Sequence, residues 1–97
     1  MKQKRNIPNL DFSELFNKRL AEASDEIKVA IEGSIELFLE DPNHPALRNH
    51  ALKEKFAGFR RIDVTGDYRA VFKEITSSTG QTVYIFHLLG THEEPYG

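Results

Sequence analysis

The sequence predicts an α+β fold, a two-layer sandwich in which an N-terminal helical hairpin packs on one face of a small antiparallel β-meander. Three observations lead there. Apolar residues repeat at helical spacing through the first half of the chain. The period shortens to that of strands from Phe59 onward. Only short turn-forming stretches separate the later apolar runs.

Residues 1–10 are polar in character and contain Pro8 and Asn9, which suits a short edge strand or a loose arm. Asp11 followed by Phe12, Ser13 and Glu14 reads as a capping box, an acceptor at the N-cap with a glutamate three residues on. Phe12, Leu15, Phe16, Leu20 and Ala23 then fall on one helical stripe, which predicts a helix over 12–22. Ser24 is a second N-cap. Asp25 and Glu26 behind it complement the positive end of a helix dipole. Ile27, Ala30, Ile31, Ile35 and Phe38 form the inner stripe of a second helix over about 25–40, which Asp41-Pro42-Asn43-His44-Pro45 ends. In the second half, 59–64 reads as a strand, 65–67 as a turn and 68–75 as a strand. Residues 77–80 read as another turn, and 83–89 as a third strand apolar enough to be central. Nothing divides the chain internally, so residues 1–97 are expected to form one domain.

Composition excludes several classes of function. The chain has no cysteine, which removes disulfide scaffolds, thiol nucleophiles and thiolate metal sites. No apolar run reaches the roughly 18 residues of a membrane span. Lys2, Lys4 and Arg5 are not followed by the apolar stretch of a secretory signal, so the expected compartment is the cytoplasm. The net charge of −2 hides an asymmetry. Residues 24–43 carry −5, from Asp25, Glu26, Glu32, Glu36, Glu40 and Asp41 against Lys28. Residues 48–73 carry +4, with Arg48, Lys53, Lys55, Arg60, Arg61, Arg69 and Lys73 outweighing Glu54, Asp63 and Asp67. Charges beyond about 8 Å are screened at physiological salt, so the basic half can attract phosphate although the total is negative.

His87 and His92 are not at a standard ligand spacing and no second cluster supports them, so no metal is expected. The meander can instead gather polar residues on its open face. His50 lies just before the first strand, and Arg61 and Asp63 share one face of it because side chains alternate. Arg69 starts the next strand across the turn, and His92 and Tyr96 follow the last. Such a set suits RNA cleavage without a metal. A base takes the proton of a ribose 2′-OH, that oxygen attacks the adjacent phosphate, an acid protonates the departing 5′-oxygen, and arginine stabilises the phosphorane. Histidine can do either proton job, arginine offers a fixed fork to phosphate oxygens, and tyrosine can stack on a base. Each residue also has a plainer reading: Arg61 with Asp63 as a surface pair, Arg69 with Asp67 as a turn pair, His87 as a packed or edge histidine.

The second half resembles the RelE/ParE superfamily of bacterial toxins, specifically the RelE- and YafQ-like mRNA interferases. The residues carrying the resemblance are Asp41-Pro42-x-x-Pro45-x-Leu47-x-x-His50-x-Leu52, Gly58-Phe59-Arg60, Gly66-Asp67-Tyr68-Arg69-x-Val71-Phe72 and Gly90-Thr91-His92-x-x-x-Tyr96-Gly97. The resemblance covers 41–97, and the helical half agrees by pattern only. It implies a β-α-α-β-β-β toxin that enters the A site of the 70S ribosome and cuts mRNA there without a cofactor. It also implies a cognate antitoxin that blocks the active face and, through their complex, contact with operator DNA. Carried over residue by residue, it implies catalytic roles for His50, Asp67, Arg69, His92 and Tyr96. Asp63 stands where YafQ-like toxins can have a histidine and could serve as a base. Leu88 stands where they can have an arginine. Lys53, Lys55, Arg60 and Arg61 are the expected RNA-binding residues. The departures and the acidic total motivate one alternative, a catalytically weak or inactive RelE-fold protein acting only through antitoxin and operator binding; the resemblance implies another, a ParE-like gyrase inhibitor, because that branch shares the fold.

Overall fold

A computed structural model of the chain describes residues 9–91. They form β1 (Leu10–Phe12), α1 (Glu14–Glu22), α2 (Asp25–Glu40), β2 (His50–Ala51), β3 (Phe59–Asp63), β4 (Tyr68–Thr76) and β5 (Thr82–Thr91). Short 3₁₀ turns at Pro45–Leu47 and Glu54–Phe56 flank β2. The architecture is α+β: two helices lie on one face of a five-stranded sheet with strand order β1-β5-β4-β3-β2.

The first helix starts later than its apolar stripe predicts. Ser13, in extended conformation, is the N-cap, and its Oγ accepts the Phe16 N–H at 3.0 Å. Asp11 lies in β1 instead, where its carboxylate accepts the neighbouring Phe12 N–H at 2.8 Å. Phe12 belongs to the same strand because its ring is worth more against the sheet than in a first helical turn. It packs 5.3 Å from Phe16 and 5.9 Å from Phe86. Ser24 caps α2 as expected, accepting from the Ile27 N–H.

The meander of β3, β4 and β5 is antiparallel. The sheet as a whole is mixed, because β1 pairs parallel with β5, Leu10 opposite Tyr84. A parallel neighbour needs a long crossover, and α1 and α2 supply part of it. The two-residue β2 extends the other edge, His50 opposite Arg61.

The core lies between the helices and the sheet, with Phe16, Ile31 and Phe38 meeting Ile62, Ala70, Phe72, Phe86 and Leu89. Phe38 is fully buried, its ring 5.0 Å from Phe72, 4.9 Å from Tyr84 and 5.5 Å from Phe86, all edge-on. Burying such a side chain is worth about 1.5–3 kcal/mol.

One irregularity sets the opposite face. Val71 is opposite Leu88 and Phe72 opposite Phe86, so His87 is an extra residue in β5, a β-bulge. The bulge lets Phe86 and Leu89, three apart, both enter the core. Ser13 fastens it: its N–H donates to the Phe86 carbonyl at 2.9 Å and its Oγ donates to the His87 carbonyl at 2.7 Å. The face turned away from the helices then carries three rows across β3, β4 and β5. They are Phe59–Lys73–Ile85, Arg61–Val71–Leu88 and Asp63–Arg69–Gly90.

Candidate functional site

The third row holds the strongest concentration of charge. Alternation along β3 turns Arg61 and Asp63 to the open face, while Ile62 between them enters the core. The turn at 64–68 brings β4 back so that Arg69 stands directly opposite Asp63. Thr65 holds this turn. Its Oγ1 accepts the Asp67 N–H at 3.2 Å and the Tyr68 N–H at 3.0 Å, and the Tyr68 carbonyl accepts the Val64 N–H at 2.9 Å.

Asp63 is the hub of an arginine cluster. Its carboxylate lies 3.4 Å from Arg69 Nε, 3.7 Å from Arg61 Nε and 3.9 Å from Arg48 Nε. The side chains of Asp63, Arg61 and Arg69 are only 17%, 13% and 16% exposed, whereas Arg48 is 76% exposed. The first three therefore interact through a medium of lower dielectric than water, and Arg48 contributes a screened charge. Burial pushes the Arg61 guanidinium below its ordinary value; the Arg69 charge pushes the same way, Asp63 opposes, and Arg48 adds to the lowering. At Arg61 the attraction of Asp63 is thus outweighed by burial and by the neighbouring guanidinium groups. Arg69 Nε and Nη1 are buried and have no hydrogen-bond acceptor among the described residues. Donors so placed suit the oxygens of a phosphate. Beside them a cavity of about 430 Å³ opens between Arg48, Asp63, Thr65, Gly66 and Arg69.

His50 joins the cluster from the sheet edge. It pairs with Arg61 in the β2–β3 register, which puts the two side chains on the same face. Its Nδ1 lies 2.7 Å from the Arg48 carbonyl. A carbonyl can only accept, so Nδ1 carries the proton in the neutral ring and Nε2 keeps its lone pair. That tautomer can take a proton.

The residues expected from sequence divide as follows. His50, Asp63, Arg61 and Arg69 come together. Asp67 sits in the exposed turn that supports Arg69. Lys55 is on the open face near Phe56, and Lys53 precedes the second 3₁₀ turn. Arg60 is set apart: it lies opposite Phe72, on the helix side of the sheet, and its Nε donates to Asn49 Oδ1 at 2.8 Å. Asn49 in turn donates to the Pro42 carbonyl, so Arg60 ties the sheet edge to the segment after α2. His92 and Tyr96 lie outside the described residues.

Two participants escape sequence reasoning. Arg48 reaches Asp63 from a left-handed backbone, φ 52°, which its residue type does not announce. His87 faces the open side by alternation from the core residue Phe86, but its place among the apolar residues of 83–89 reads as a packed position and hides the register shift beside it. Among the described residues no group of three His, Asp or Glu side chains is placed to hold a metal ion, and no helix is long and apolar enough to cross a membrane.

Solved structures share this architecture. YafQ from E. coli superposes with a TM-score of 0.71 at 20% identity, over 91% of this chain and 97% of that one. A YoeB/ParE toxin from Agrobacterium tumefaciens gives 0.70 at 15% identity, over 87% and 98%. The toxin–antitoxin complex RelBE2 from Mycobacterium tuberculosis gives 0.64 at 16% identity, over 87% and 96%. The sequence matches no protein-family model and none of the curated proteins.

Proposed function

Starting from a chain that has the fold of the RelE/ParE-like toxins, we propose that it is the toxin of a toxin–antitoxin pair and a ribosome-dependent mRNA endonuclease. The observation that carries this reading is the Asp63-centred cluster of Arg61 and Arg69, with His50 on the same face.

Arg69 and Arg61 take the scissile phosphate, their forks matched to its non-bridging oxygens. Asp63 is a positioning residue that keeps both guanidinium groups turned to one point. His50 Nε2 accepts the proton of the ribose 2′-OH. The 2′-oxygen attacks phosphorus, the bond from phosphorus to the 5′-oxygen breaks, and the chain ends as a 2′,3′-cyclic phosphate and a 5′-hydroxyl. His92, the next residue in sequence after β5, supplies the proton to the 5′-oxygen, and Tyr96 positions the nucleotide. The acidic helix α2 lies in the other layer, away from the polyanion. The partner that silences the protein is a cognate antitoxin, as in the RelBE2 complex. The ribosome supplies the message.

Induced expression in cells tests this. The expected result is growth arrest with new message ends in primer extension, both lost in Arg69→Ala and in His92→Ala. Arrest undiminished in both variants overturns the assignment. Arrest without message cuts, accompanied by inhibition of supercoiling by purified gyrase, replaces it with the ParE-like reading.

A further inference from the structure

Two rows from Asp63, the open face changes character. Phe56, Phe59, His87 and Leu88 wall a cavity of about 410 Å³, within the range of about 300–1,000 Å³ common for small-ligand sites. The His87 ring stands edge-on to Phe59, centroids 5.2 Å apart and planes at 68°. Lys73 Nζ lies 5.6 Å from the centre of the Phe59 ring, and Lys55 Nζ lies 6.0 Å from that of Phe56. Among the described residues no carboxylate lines the cavity. The row through Phe59 does reach a carboxylate, Asp11 on β1, but three strands away, about 14 Å at ordinary strand spacing.

We infer that this cavity is a nucleobase subsite, in which Phe59 and His87 stack a base of single-stranded RNA while Lys55 and Lys73 hold its flanking phosphates. The inference rests on the RNA-cleaving reading above and adds to it where the base beside the cut is gripped. Aromatic rings interleaved with lysines suit a ligand with a π face and a regularly spaced anion. Phe59 and Arg61 share one face of β3 two residues apart, about 6.6 Å along the strand, so base and scissile phosphate are read side by side. The bulge widens the subsite: alternation from the core residue Phe86 turns His87 to the open face, and the inserted residue lets Leu88 stand on that face as well. When a base enters, it takes the place of Lys73 over Phe59 and frees that ammonium for a phosphate.

Aromatic ¹H–¹³C spectra of the full chain, titrated with a 2′-O-methylated ribodinucleotide and with ribose 5-phosphate, test this without requiring cleavage. The dinucleotide is expected to shift the Phe59 and His87 ring signals and to bind about tenfold tighter than the abasic sugar phosphate. Ribose 5-phosphate is expected to perturb only the surroundings of Arg61 and Arg69. Phe59→Leu is expected to erase the tenfold preference; should that variant fail to fold, the exposed-face change His87→Leu must reduce it. Equal binding of the two ligands, or ring signals unmoved by the dinucleotide, overturns the subsite and leaves message cleavage to be judged by primer extension. Base-dependent shifts in a protein that cuts no message keep the subsite and refute the cleavage.

Discussion

Asp63 and Arg69 face each other across the β3–β4 register, Oδ1 3.4 Å from Nε, and the same carboxylate serves Arg61 and Arg48. The pair is at ion-pair distance, yet Asp63 Oδ1 and Arg69 Nε make no hydrogen bond among the described residues. Asp63 therefore neutralises charge without occupying the donors a phosphate needs. Asp63→Asn removes the carboxylate that Arg48, Arg61 and Arg69 share and increases the repulsion among these guanidinium groups. Stability is expected to fall by about 1–3 kcal/mol, and added inorganic phosphate is expected to raise the melting temperature more in the variant than in the parent chain. Equal phosphate effects on the two proteins contradict an anion site here.

Arg61 carries the opposite trade. Its depressed value means that the folded protein binds the guanidinium proton less tightly than the unfolded chain does. Stability linked to this group thus rises only as pH climbs, at strongly alkaline pH, from the depressed value toward the ordinary guanidinium value, and it contributes no slope across about pH 6–8. The charge itself is a burden on folding, with burial the largest cause and Arg69 the next. Arg61→Met is expected to leave stability unchanged or raise it by up to about 1 kcal/mol, while weakening RNA binding and flattening its salt dependence. Chemical denaturation together with binding at two salt concentrations checks both halves. A strongly destabilised Arg61→Met contradicts this account.

What the sequence makes legible is what repeats or stops. The stripe from Ile27 to Phe38 and the caps around it locate α2, and the turns at 65–67 and 77–80 locate the meander. Alternation places Arg61 and Asp63 on one face with Arg69 across the turn. Three features have no local signature. The parallel pairing of β1 with β5 is decided by the burial of Phe12 among Phe16 and Phe86, partners 4 and 74 residues away. The bulge is decided by core packing at Phe86 and Leu89. The separation of Arg60 from Arg61 follows from alternation, but counting positive charges along the chain merges them.

Ser13 joins the first helix to the bulge, since one hydroxyl caps α1 and also donates to the His87 carbonyl. Ser13→Ala loses both bonds and is expected to cost about 1–2 kcal/mol, a fall of roughly 5–15 °C in melting temperature. Ser13→Asp separates the roles: a carboxylate still accepts from the Phe16 N–H but cannot donate to a carbonyl. Its stability is expected to fall between those of the parent and the alanine variant. Parent-like stability in Ser13→Asp means that the bond to the bulge contributes nothing.

Arg60 and Arg69 provide the sharpest contrast, because both belong to the basic half of the sequence and the sheet separates them. Arg69 stands on the open face in the Asp63 cluster, while Arg60 turns to the helix side and donates to Asn49. If the open face is where RNA is cut, the two changes must fail differently. Arg69→Ala is expected to lower message cleavage at least about a hundredfold, the loss typical of a donor that stabilises developing charge. Its melting temperature is expected to move little, since Asp63 keeps Arg61 and Arg48 as partners. Arg60→Ala leaves a partly buried Asn49 oxygen without its donor, so it is expected to lower stability by about 1–2 kcal/mol while cleavage per folded molecule stays within about twofold. Primer extension on message, normalised to folded protein, distinguishes the two. A hundredfold loss in Arg60→Ala would place the RNA on the wrong side of the sheet.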